Sequence, residues 1–365
     1  MIDDDDFTRR AEAFAAIHVG HDTARFAHNL HSRVELLRAG AIALPVTIDD
    51  GSADNAWVTS PRTTYADCAM EEAARAAPWL ARPAAWSGRG LHAWLRRAGV
   101  DRVAMLNNWL LSTNLYPPLA QVPLDDAIAQ ARERWPGHAL WWRSLNETDH
   151  ADWIAALEAR GFRRVVSRQV YLFDDWPALL RRHPDLRRDQ RLLARPDLQR
   201  TGNDGIGDGD YARIAQLYAQ LYIGKYSRHN PHYTEHFMRA WHRAGLLELD
   251  AGRDADGVLQ CVTGMFRQGD TMTVPLVGYD TAQPVARGLY RRLNASAFEA
   301  AMARGLRLHL SAGAPRFKRM RGGKATLEVS LVCARDTPPR TRRAIAVLST
   351  LTGRIAAPLL RRYAL

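Results

Sequence analysis

The side chains able to move a proton or hold charge gather mainly in the second half of the chain. In the run LRLHLSAG, alternation puts Leu306, Leu308 and Leu310 on one strand face and Arg307, His309 and Ser311 on the other. A histidine on a polar strand face is either a proton relay or a satisfied core residue. Asp280 ends the run TMTVPLVGYD, and Glu328 alternates with apolar Leu327 and Val329, so it points into a cleft or out to water. Tyr279 and Tyr290 supply hydroxyls that could protonate a leaving group.

A basic segment, Arg316, Lys318, Arg319, Arg321 and Lys324, is anchored by Phe317 and turned by Gly322-Gly323. It reads as a phosphate-directed segment or as a solvated surface. His229, His232 and His236 lie close in sequence, and the last two have zinc-like i, i+4 spacing. No HExxH and no cysteine partner accompanies them, so no metal is expected. Lys225, Tyr226 and His229 read instead as pocket walls. Upstream, NNWLLSTNLYP interrupts an apolar run with Asn107, Asn108, Ser112 and Asn114. These either face a cleft or satisfy backbone groups of a buried loop.

The elements that position these groups follow from periodicity. Residues 211–227 and 234–245 carry helical spacing, the second stopped by Gly245. LLELDAG and VLQCVTGMFRQGD read as strands joined at an Asp-Gly hairpin. TMTVPLVGYD, LRLHLSAG and ATLEVSLVCARD read as further strands, with a helix over 286–305 between the first two. Pro275 inside a strand marks a bulge or an edge. Upstream, AIALPVTID, DRVAMLNNWLLSTNLYP, HALWWRSLN and FRRVVSRQVYLFD read as strands, with helices at LDDAIAQARERWPG and HADWIAALEARG. The expected fold class is α/β with mixed sheets flanked by helices. Residues 177–209, polar and rich in Pro, Gly and Asp, read as a linker between an N-terminal unit at 1–176 and a C-terminal unit at 210–336. Residues 337–365 read as a basic amphipathic helical tail that packs on the downstream unit or touches a membrane.

Composition bounds the rest. The 365 residues are 47% hydrophobic and 24% charged, ordinary globular values. Three scattered cysteines supply neither a disulfide framework nor a metal cluster, which points to a reducing cytoplasm. No transmembrane span is expected, and MIDDDDFTRRAEAF lacks the pattern of a signal peptide. Its four aspartates read as a solvated terminus or N-cap cluster. The net charge of +11 favours anionic partners or reflects an arginine-rich composition alone.

HADWIAALEARGF followed by a strand resembles the closing helix and strand of the GNAT acyltransferase fold. Gly278-Tyr279-Asp280, Gly288-Leu289-Tyr290, and Phe317-Lys318 before Arg321-Gly322-Gly323 resemble the FemAB-like and BioF2-like branch of that superfamily. The likeness covers roughly 200–336 by residues and 33–175 by pattern. It implies tandem GNAT folds, the upstream unit degenerate because its Pro117-Pro118 loop offers few free amides. It further implies an acyl thioester, acyl-CoA or an acyl carrier protein, entering a splayed strand pair. Backbone amides near Val277 and Gly278 would hold the oxyanion. The loop Gln283 to Arg287, the helix opening at Gly288 and Leu289, and Lys318 would hold phosphate. The family loop has two small residues where Arg287-Gly288-Leu289 has one glycine.

The implied activity is N-acyl transfer to an amine-bearing small molecule or peptide. His309, Asp280 or Glu328 would serve as base, Tyr279 or Tyr290 as acid. Asn107, Asn108, Ser112, Asn114, Lys225, Tyr226 and His229 would hold the acceptor. Two alternatives stay open: an aminoacyl-tRNA-dependent FemAB-like transferase, and an inactive GNAT-fold binding subunit.

Overall fold

The computed structural model describes residues 4–71 and 81–363. Its strands are β1 (Arg33–Ala39), β2 (Ile42–Asp50), β3 (Arg102–Leu106), β4 (Ala139–Asn146), β5 (Arg163–Phe173), β6 (Gln199–Thr201), β7 (Glu248–Arg253), β8 (Leu259–Gln268), β9 (Thr271–Tyr279), β10 (Arg307–His309) and β11 (Lys324–Cys333). All join one eleven-stranded sheet in the order β1-β2-β3-β4-β11-β5-β10-β9-β8-β7-β6.

That order is close to a palindrome. From β1 inward the pairings run antiparallel, antiparallel, parallel, then antiparallel onto β11. From β7 inward they run in the same sequence onto β5. Two like units therefore meet at β5 and β11, which pair antiparallel along nearly their whole length. Each unit is completed by a strand of the other: β11 lies beside β4, and β5 beside β10. The repeat is one of topology, which is why no residue-level repeat is visible in the sequence.

Most expected elements stand where the period put them, including the β7–β8 hairpin, where Gly257 takes φ +78°. The strand expected over 101–117 ends at Leu106, because Asn107 (φ 52°) and Leu110 (φ 59°) turn the chain into a loop. The expected linker holds the helices Trp176–Arg182 and Pro184–Leu193 and the short edge strand β6. Elements without a reading in the sequence include helix Asp4–His18, strand β1, the π turn Thr63–Cys68 and helix Ala81–Ala98. Of the N-terminal aspartates, Asp3 lies outside the described residues, Asp4 and Asp5 open the first helix, and Asp6 pairs with Arg9 at 2.6 Å. That helix carries Phe7 and Phe14 against Trp109, and Phe14 against Trp241, joining the two halves through aromatic contacts.

Candidate active site

The parallel pair β9–β10 is short. Only Thr271–Thr273 match Arg307–His309, and from Val274 onward the β9 edge has no strand beside it. β10 leaves because its continuation is captured by β5: Leu310 N–H donates to Tyr171 O (3.0 Å) and Tyr171 N–H to Ser311 O (3.2 Å). Ser311 (φ 56°) and Ala314 (φ 47°) then turn the chain away. On its other edge β9 carries an irregularity. The β8 register jumps from Gly264↔Leu276 to Phe266↔Thr273, so Val274 and Pro275 together oppose one residue. Pro275, expected at a bulge or an edge, sits at that bulge.

Ladder alternation decides which amides face the gap. Asp280 N–H donates to Gln260 O at 2.9 Å, so Gly278 and Leu276 also point toward β8. Val277 and Tyr279 point the other way, into the gap. Of the two oxyanion donors expected, Val277 is therefore the one with an edge amide, while the Gly278 amide belongs to the ladder. Glycine at 278 has a packing reason: a Cβ there would lie 2.6 Å from Leu217 C and 2.7 Å from Tyr218 N of helix Tyr211–Ala219.

The gap opens into a cavity of about 230 Å³ between the two halves. The downstream half contributes Val274, Val277 and Tyr290, and the upstream half Trp57, Ser112 and Arg168. The guanidiniums of Arg143 and Arg168 approach the Trp57 ring to 4.9 and 4.8 Å from its centroid. Arg168 donates twice to Glu328 (2.8 and 3.1 Å) and once to the Ser112 carbonyl (2.5 Å). Lys318 closes the floor. Its ammonium donates to the carbonyls of Leu310 (2.6 Å), Ser311 (3.2 Å) and Ala312 (2.7 Å), the segment that leaves β9. Burial, assisted by the Arg168 charge, pulls Lys318 down to about 7. Burial pushes the Tyr222 and Tyr290 hydroxyls up, so both remain neutral donors at the wall.

The other residues singled out from the sequence divide between this cavity and the scaffold. Tyr226 and Ser112 line the cavity. His309 is buried behind it, with Nδ1 accepting from Ser311 N–H (3.0 Å) and Nε2 without a partner. Burial holds it down at about 3, so it stays neutral and is a poor proton acceptor. Glu328 is committed to Arg168, and Asp280 to Arg213 at 2.9 Å. Tyr279 receives a hydrogen bond from Lys225 Nζ at 3.2 Å, outside the cavity wall, and His229 stands 3.5 Å from Glu71.

Asn107, Asn108 and Asn114 do not reach the cavity. Asn107 ties Leu115 O (2.9 Å) to the Trp109 indole (2.7 Å). Asn108 joins Thr47, Val58 and Arg143, and Asn114 accepts from Trp109 N–H. They brace residues 107–116, which fill the gap after β3 and β4 that corresponds to the open one after β9 and β10. Arg143 pins this plug through Leu111 O (2.9 Å) and Ser112 O (3.3 Å).

The expected phosphate segment has a different internal logic. Arg287 is tied to Gln283 at 2.9 Å. Gly288 takes φ +64°, and a Cβ there would meet Leu192 Cδ2 at 2.7 Å. The positive φ favours this glycine, while the Leu192 contact is with the movable end of a side chain. Leu289 is buried in the first turn, and no side chain caps the helix Leu289–Ala303 it opens. Lys318, expected on phosphate, spends its donors on carbonyls. Among the described residues no group of His, Cys, Asp and Glu is arranged to hold a metal ion.

Trp57, Arg168 and Tyr222 lacked a reading as site residues. Tyr222 belongs to the i, i+4 tyrosine series 218, 222 and 226, read as a helix face. Arg168 interrupts an apolar strand, a usable signal. Trp57 had none.

No family model and no curated protein matches the sequence. Among solved structures, L-PGS from Bacillus licheniformis is similar at 9% identity and TM-score 0.52, covering 93% of this chain and 96% of that one. The C-terminal DUF2156 domain of a lysylphosphatidylglycerol synthetase from Agrobacterium fabrum, itself a provisional assignment, is similar at 12% identity and TM-score 0.50, covering 94% and 96%. A tandem GNAT protein from the clavulanic acid biosynthesis pathway aligns at 12% identity and TM-score 0.41, covering 91% and 95%. The mixed sheet of two like units flanked by helices is therefore a fold that this chain shares over nearly its full length with the first two structures.

Proposed function

We propose that the chain is a transferase that moves an acyl group from an activated carbonyl donor to an amine. The donor's linear arm lies along the free edge of β9, and its carbonyl reaches the Val277 amide. The amine enters the cavity from the upstream side, beside Trp57 and Ser112. Its nitrogen attacks the carbonyl carbon, and the negative oxygen is held by the Val277 N–H. The carbon–sulfur bond of a thioester then breaks. Tyr290, neutral and on the wall, gives the leaving sulfur a proton and takes up the one that the amine nitrogen loses. The observation that carries this reading is the parting of β9 from β10 at Thr273, which leaves amides unpaired at a cavity walled by both halves.

A second reading keeps the chemistry and changes the donor to an aminoacyl ester on tRNA, whose carbon–oxygen bond breaks instead. It is favoured by the groove beside the start of helix Leu289–Ala303, where Arg188, Arg291, Arg316 and Arg321 outnumber Asp185 and Asp189. Thermal shifts with CoA, a series of acyl-CoAs and total aminoacylated tRNA separate the two. Stabilisation by acyl-CoA supports the first reading and stabilisation by tRNA alone supports the second. Stabilisation by neither leaves a binding subunit and overturns both.

A further inference from the structure

From Pro339 to Arg362 the chain is helical throughout, passing through a π turn at Thr352–Ala356. It is the one described helix long and apolar enough to cross a membrane. It does not stand free to do so. Ala344, Ile345 and Leu348 are buried against Leu95, Val103 and Trp141. Ser349 Oγ donates to Arg164 O (2.7 Å), and Val166 N–H to Thr352 Oγ1 (3.1 Å). The opposite face is bare: Val347 is 41% exposed, Leu351 44%, Ile355 55% and Leu359 44%.

These four sit at every fourth position. In a pure α-helix that series would drift by about 40° per step. The π turn adds a residue to its turn and opposes the drift, so the four form one stripe. The neighbouring helix Ala81–Ala98 packs beside it and adds Trp94, itself exposed, near the same edge. Exposed arginines flank the stripe: Arg96 and Arg97 on one helix, Arg340, Arg343 and Arg354 on the other. Neither helix contains an acidic residue over its described length.

We propose that this helix pair is a docking face for an anionic lipid bilayer, lying in the interface rather than crossing it. Apolar side chains enter the acyl boundary, Trp94 sits at headgroup level, and the arginines meet lipid phosphates. Charge selects this occupant. A second copy of the face would bring together two pairs of arginine-rich helices that carry no acidic residue of their own over their described lengths, and like charges would oppose it. The face also lies beside the cavity. The turn Thr63–Cys68 supplies Thr64 and Cys68 to the cavity wall, while its Tyr65 and Ala66 pack into the same apolar cluster as Leu95 and Ile345.

The test is co-sedimentation of the full chain with vesicles of phosphatidylcholine alone and of phosphatidylcholine mixed with phosphatidylglycerol. The wild type is expected to pellet with the mixed vesicles only. A Leu351→Asp/Ile355→Asp variant, altered at exposed positions and checked for an unchanged melting temperature, is expected to lose about tenfold in partitioning. Arg343→Glu/Arg354→Glu is expected to lose binding most at low salt, where attraction is least screened. A wild type that stays in solution with mixed vesicles overturns the proposal. So does a Leu351→Asp/Ile355→Asp variant that binds undiminished, or a face that instead dimerises the chain in light scattering. Vesicle binding needs no acyl donor, so its failure is separate from failure of the transferase reading.

Discussion

Replacing Lys318 with methionine tests the floor of the cavity. The ordinary lysine value of 10.5 falls to about 7 in the fold because burial penalises the ammonium and Arg168 repels it. Between those values the unfolded chain binds a proton that the folded chain does not, so stability rises with pH across that window. Below about 7 both states are protonated and the full penalty stands; above 10.5 it is gone. At about 1.4 kcal/mol per pH unit the span is worth about 5 kcal/mol. From pH 7 to 10 the wild type should therefore gain about 4 kcal/mol relative to Lys318→Met, on the order of 5–10 °C in melting temperature. Other groups titrate in this range, notably Cys261, which burial raises to about 12, but they are common to both proteins and cancel in the difference. Methionine also leaves the carbonyls of Leu310, Ser311 and Ala312 without their donor, which lowers the variant by about 1–3 kcal/mol at every pH. The assay is thermal melting of both proteins in a pH series. Parallel curves would refute the buried, depressed lysine and the floor built on it.

Acidification should destabilise the fold below about pH 6.5, the ordinary histidine value. Burial holds His18 and His309 down at about 3 and His150 at about 4, so the unfolded chain takes up protons first and stability falls between 6.5 and those values. A melting temperature flat from pH 7 to 4 would contradict this. Ala312→Trp, on the cavity wall where β10 departs, should weaken acyl-donor binding about tenfold in calorimetry with little change in melting temperature. Gly278→Ala should cost about 1–3 kcal/mol in denaturant titration, because its new methyl meets helix backbone rather than a movable side chain. Gly288→Ala should cost about 1 kcal/mol through its positive φ, with donor affinity moving far less than under Ala312→Trp.

The downstream strands were legible because they are short apolar runs bounded by turn residues, β8 and β11 being buried nearly throughout, and the Asp256-Gly257 hairpin because turn chemistry is local. The bulge at Pro275 was legible because proline cannot join a ladder. Helix Asp4–His18 escaped notice because its first turn reads as a solvated acidic run, and only Phe7, Ala11 and Phe14 show its buried stripe. The asparagines of 107–114 drew attention as polar residues in an apolar stretch, yet Asn107 and Asn114 bond within their own loop and Asn108 to Thr47, Val58 and Arg143, tens of positions away. Polarity could be read there; commitment to the scaffold could not. The same limit applies to His309 and Glu328, whose alternation was right while their burial and pairing depended on β5 and Arg168.

The exchange of β5 and β11 has a consequence for biosynthesis. Residues 33–173 hold all but one of the strands of the upstream unit, and the absent one, Lys324–Cys333, is translated only after the whole of β6 to β10. Until Cys333 has emerged from the ribosome, β4 keeps an uncovered edge flanked by Trp141 and Trp142, a ready template for mispairing with a nascent neighbour. This chain cannot mature one half at a time as it is made. Its halves close together, and a chain without Lys324–Cys333 leaves both β4 and β5 short of a partner rather than one half finished.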